Sequence, residues 1–124
     1  MKWIDRAIFI SPIYFGLCCS EREFKAELRR LGIPKGSRPH WLKNEHSDGC
    51  AHFFDNGKMT SAIVCVRKSA ESVPSEMVGL LIHESVHIWQ EIRKNIGEDN
   101  PSSEFEAYVI QAIAQKLIEA YDEC

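Results

Sequence analysis

Leu80-Leu81-Ile82-His83-Glu84-Ser85-Val86-His87-Ile88-Trp89 is an apolar helical run carrying two histidines and one glutamate. His83 and His87 stand four residues apart, so a helix places both imidazoles on one face, about one turn apart. Both can then reach one zinc ion. Glu84 lies one step round, where its carboxylate can serve as general base toward a metal-activated water. Apolar neighbours on both sides bury this helix, which a solvated surface helix would not do. The bland alternative is two histidines on an ordinary packing helix.

The helix starts near Ser72 to Ser75, with Pro74 suited to its first turn, and runs to about Ile96, where Gly97 stops it. Upstream lies a hairpin. Ala51-His52-Phe53-Phe54 and Met59 to Val66 have strand composition, and Asp55-Asn56-Gly57-Lys58 between them is a strong turn signal. Ile63, Cys65 and Ser61 would face one side, and Ala62, Val64 and Val66 the other. Both faces are apolar, which implies cover on both.

Downstream, Asn100 as cap and Pro101 at the first position are expected to open a third helix reaching the C-terminus. Toward the N-terminus, Ser20 and Glu23 form a capping box and Gly32 a stop, giving an amphipathic helix over Glu21 to Leu31. Ala7 to Cys19 reads as a buried strand. It loosely resembles a secretory apolar segment, but Asp5 and Pro12 spoil that pattern, and it is too short to span a bilayer. From Gly32 to Gly49, Pro34, Gly36 and Pro39 preclude a long regular element. The expected order is strand, helix, hairpin, helix, helix. This is a single α+β domain over residues 1–124, a small antiparallel sheet packed on helices.

The chain has 124 residues, 44% hydrophobic and 27% charged, with net charge −3. That suits one soluble domain and lacks the basic footprint of a nucleic-acid binder. It also offers an anionic membrane surface nothing to hold. Cys18, Cys19, Cys50, Cys65 and Cys124 form an odd set without a CxxC arrangement. They read as reduced thiols of a cytoplasmic protein, Cys65 as a buried small apolar residue.

A zinc site of this type needs a third protein ligand and one open position. Glu104 and Glu106 open the third helix, which can fold back against the second, while Glu91 is carried away along its own helix. Together, His83-Glu84-x-x-His87 and a following helix with Glu106-Ala107 resemble the zincin metallopeptidases, specifically the gluzincin branch. The resemblance implies a minimal zincin-like core, with His83, His87 and Glu106 as zinc ligands and Glu84 as base. It implies a zinc-dependent hydrolase acting on peptide or protein. Glu104 is the competing third ligand, or otherwise an acid that favours a helix N-terminus. The whole chain is also similar to short HExxH proteins encoded by tailed phages and prophages, which would place it in the host cytoplasm.

Two departures stand out. Ile110 occupies the position where many gluzincins carry an Asp that orients a zinc-bound His, so that partner must come from elsewhere, with Gln90 one candidate. Arg93 stands where a metzincin would have its third His. His52, on the first hairpin strand, is a candidate for oxyanion stabilisation, since zincins bind extended substrate on the strand beside the active-site helix. Tyr108 reads as a core aromatic. His46, Asp48, Cys50 and His52 alternate, but the Ser47-Asp48-Gly49 turn breaks a second metal site. The alternative to an enzyme is a zinc-stabilised, non-catalytic binding or structural protein of phage origin.

Overall fold

The computed structural model describes residues 1–4 and 11–124. The elements are β1 (Lys2–Ile4), β2 (Ile13–Cys18), α1 (Glu21–Arg30), β3 (Gly49–Asp55), β4 (Thr60–Val66), α2 (Pro74–Asn95) and α3 (Ser103–Asp122). The α+β class is as expected. Of the strand expected over Ala7 to Cys19, β2 accounts for the end, and residues 7–10 lie outside those described.

Local signals set the element ends. The Ser20 side chain accepts the Glu23 N–H at 3.2 Å, and Gly32 takes a φ of 73° just past the end of α1. Asp55 and Asn56 side chains accept the turn N–H groups, and Gly57 adopts a φ of 86°, which closes the β3–β4 hairpin. Pro74 opens α2, and Gly97 follows its last turn with a φ of 69°. The start of α3 differs from expectation. Ser102 is the cap, its hydroxyl accepting the Phe105 N–H at 3.2 Å, so Asn100 and Pro101 belong to the preceding turn.

The sheet order is β1-β2-β4-β3. The antiparallel expectation holds for β1 with β2 and for β3 with β4, but β2 and β4 run parallel, from Ile13 opposite Thr60 to Cys18 opposite Cys65. The sheet is therefore mixed. After α1 the chain returns at the edge as β3, and the hairpin then inserts β4 beside β2 in the same direction.

Central β4 is covered on both faces, as its composition implied. Ala62, Val64 and Val66 join Leu81, Ile88, Trp89 and Ile92 of α2 and Val109, Ile113 and Leu117 of α3 in one core. Ile63 and Cys65 pack with Phe24 and Leu28 of α1 in a second core on the opposite face. Fully burying each Leu or Ile contributes about 1.5–3 kcal/mol, so α2 and α3 are held chiefly by these side chains.

The reading of all five cysteines as reduced is corrected. Cys18, Cys50 and Cys65 are buried free thiols, but Cys19 and Cys124 form a disulfide across a sequence separation of 105. It joins the end of β2 to the last residue after α3, where Lys68 also donates to the Tyr121 and Cys124 carbonyls. The pairing could not be read from spacing because only the fold brings the two residues together. Closing a loop this long removes unfolded-chain entropy worth about 4.7 kcal/mol in the loop-closure account. Thiol titration in denaturant should find three free thiols without reductant and five with it. Reduction should lower the melting midpoint by about 10 °C or more. Five thiols without reductant would disprove the bond.

Candidate metal and hydrolytic site

Helix α2 divides its faces between core and cleft. Leu81, Ser85, Ile88, Trp89 and Ile92 are buried, while His83 and His87 are exposed. The imidazoles turn their Nε2 atoms toward each other, 3.1 Å apart. Two nitrogens bound tetrahedrally to one zinc at about 2.0–2.1 Å would lie roughly 3.3 Å apart. The separation of the pair is thus close to that of two nitrogens sharing one zinc.

His87 is oriented within its own helix. Its Nδ1 lies 3.0 Å from the Gln90 Oε1, and an amide oxygen can only accept, so Nδ1 carries the proton. The neutral ring then keeps its lone pair on Nε2, the atom facing His83. Gln90 supplies locally the orienting contact that Ile110 cannot.

Glu84 is buried, with 5% of its surface exposed. Burial pushes its carboxyl pKa above the usual carboxylate range, and the opposing pull of His83, His87, Lys43 and His52 does not cancel this. A carboxylate with raised proton affinity is a better general base near neutral pH.

These three side chains open on a cleft of about 980 Å³ between α2 and β3, lined on the strand side by Gly49, Cys50, Ala51 and Phe53. Among the described residues β3 pairs with β4 alone and lies at the edge of the sheet. Gly49 permits the close approach of helix and strand. A Cβ there would sit 2.6 Å from Leu80 Cδ2 and 3.0 Å from the Cys65 carbonyl oxygen. A larger residue would force the Leu80 side chain to shift and crowd the Cys65 carbonyl.

The remaining candidates lie elsewhere. Glu106 does not line the cleft, and its Oε2 accepts the Trp89 indole N–H at 2.7 Å. Glu104 is exposed in the first turn of α3. Among the described residues no three His, Cys, Asp or Glu side chains form a group that could hold a metal. The histidine pair is thus assembled, and a third protein ligand is not brought beside it. His52 lies outside the cleft lining, its Nε2 3.0 Å from the Trp41 carbonyl oxygen and its ring stacked on Phe24. Cys50 Sγ is 3.3 Å from the same His52 nitrogen, while His46 and Asp48 form no metal group with them. Tyr108 is 63% exposed and so is no core residue. Lys43, which sequence reasoning missed, lines the cleft. No motif marks it, because a loop brings it there.

The Gln90 contact has a measurable consequence. Gln90→Leu should weaken zinc binding about tenfold in competition with a chromophoric chelator, at unchanged helix content. Unaltered affinity would remove Gln90 from the site.

No family model matches the chain, and no curated protein or solved structure matches it either.

Proposed function

We propose that the chain is a zinc-dependent hydrolase that cleaves amide bonds of peptide or protein substrates in the cleft between α2 and β3. The observation that carries this reading is the convergence of the His83 and His87 Nε2 atoms at 3.1 Å beside the buried Glu84 carboxyl. His83 and His87 would hold the ion. No third protein ligand is assigned, because Glu106 lies outside the cleft with its Oε2 accepting from Trp89. A bound divalent cation would supply Lewis acidity, lowering the pKa of water and polarising the carbonyl.

The chain's own groups would then act as follows. Glu84 takes a proton from water as the water oxygen adds to the carbonyl carbon and the π pair moves onto the carbonyl oxygen. Collapse of that adduct breaks the C–N bond, and Glu84 returns the proton to the leaving amine. The products are a carboxylic acid and an amine. An extended peptide can pair with the edge of β3, its register set by main-chain hydrogen bonds.

The non-catalytic alternative assigns zinc the task of joining helices. Against it, Ile88, Trp89, Ile92, Val109, Ile113 and Leu117 already join α2 to α3 in the core, while both Nε2 atoms belong to cleft residues. A metal there has little structural work to do. No helix among the described residues is long and apolar enough to cross a membrane. The cytoplasmic expectation rested on reduced thiols and on the resemblance to phage proteins. The Cys19–Cys124 bond is instead chemistry of an oxidising compartment, and we propose that setting for the protein.

Wild-type protein should take up one zinc, and His87→Ala should lose it. Glu84→Gln should keep the metal and lower turnover of a peptide library at least about 100-fold. Retained turnover in Glu84→Gln would overturn the mechanism.

A further inference from the structure

The loop before β3 is fastened to that strand at three successive residues. The Trp41 carbonyl lies 3.0 Å from His52 Nε2 and accepts from Cys50 Sγ at 3.2 Å. Leu42 is 4% exposed, buried in the core beneath α1. The Lys43 backbone N–H bonds to Cys50. The backbone at Lys43 is thereby fixed, while its side chain is exposed and lines the cleft with His83, Glu84 and His87. This also gives Cys50 and His52 a role in holding the loop.

The charges in the cleft single out this lysine. Asp48, Glu71, Glu76 and Glu84 contribute carboxyl groups to its lining, and Lys43 and Arg67 the cations. Arg67 is committed elsewhere. Its guanidinium lies over the Trp41 ring at 5.7 Å and donates to the Glu45 carbonyl. No ion pair engages Lys43 among the described residues. Its charge nevertheless reaches the Glu84 carboxyl, acting in the same direction as the two histidines.

Hydrolysis of an amide places a full negative charge on the carbonyl oxygen at the moment Glu84 takes the proton from water. A cation beside that oxygen stabilises the adduct more than the neutral substrate. The other candidates are engaged or distant: His52 is bonded to Trp41, and Tyr108 lies outside the cleft. We propose that Lys43 is the catalytic electrophile of the cleft, binding the negative oxygen formed when the carbonyl is attacked. This assignment rests on the hydrolase reading, and it makes the cleft selective for ligands with an anionic oxygen beside the metal position.

Inorganic phosphate, a tetrahedral oxyanion, tests it without a known substrate. Zinc-loaded wild type, Lys43→Met and Lys43→Arg should hold equal zinc and melt at similar midpoints, since the side chain is exposed. Phosphate affinity measured by calorimetry should fall about tenfold in Lys43→Met and stay within about threefold in Lys43→Arg, as expected for loss and retention of a charge-assisted contact. Equal phosphate affinity in wild type and Lys43→Met, or none in either, overturns the role of Lys43 and leaves zinc binding intact. Absence of zinc from wild type overturns both the hydrolase reading and this one. If Lys43→Met melts early, Lys43→Gln serves as the second neutral variant, read by the same criterion.

Discussion

The close approach of α2 to β3 is the constraint on which the site depends. At Gly49 the strand backbone comes so near Leu80 that even a methyl group would collide. Leu80 lies three residues before His83, so the glycine lets this part of the helix pack close to the sheet edge. The same helix must also bury Leu81, Ile88, Trp89 and Ile92 against β4 and α3. Its rotation about its own axis is therefore determined twice, by the core on one side and by the glycine on the other. His83 and His87 have one direction left, into the cleft.

How much of this was legible follows from which interactions are local. The Ser20 cap, the Asn56-Gly57 turn and the Gly97 stop act within four residues of themselves, and each behaves as its type dictates. The alternation along β4 was equally plain, because period-two burial is a property of the strand itself. The parallel pairing of β2 with β4 was not visible, since no residue in either strand specifies its neighbour's direction. The short β1 was missed for a related reason: Lys2-Trp3-Ile4 is too brief to carry a pattern, and its pairing with Leu17, Gly16 and Phe15 is tertiary. The Cys19–Cys124 pair belongs to the same class.

For the site, the helical spacing gave the histidine pair and Gln90 directly, because all three lie on one element. Glu106 shows where such reasoning ends. A helix that folds back can place Glu106 anywhere around its partner, and here the Trp89 indole engages its carboxylate. Lys43 shows the opposite failure. Nothing in Trp41-Leu42-Lys43-Asn44 announces chemistry, yet Cys50 and His52 on the neighbouring strand hold this loop beside the helix.

The electrostatics of Glu84 connect these parts. Burial alone would favour its protonated form, which cannot act as a base. Each group that opposes burial is a cation or potential cation near the carboxyl: His83, His87 and Lys43 of the cleft, and His52 beyond it. Neutral histidines would withdraw most of that support, whereas a divalent cation held by their Nε2 atoms would replace it with a larger charge. On the proposed reading, the ionised form of Glu84 would be favoured when the histidine pair holds a cation. Under that proposal, burial of this carboxyl would serve chemistry rather than stability.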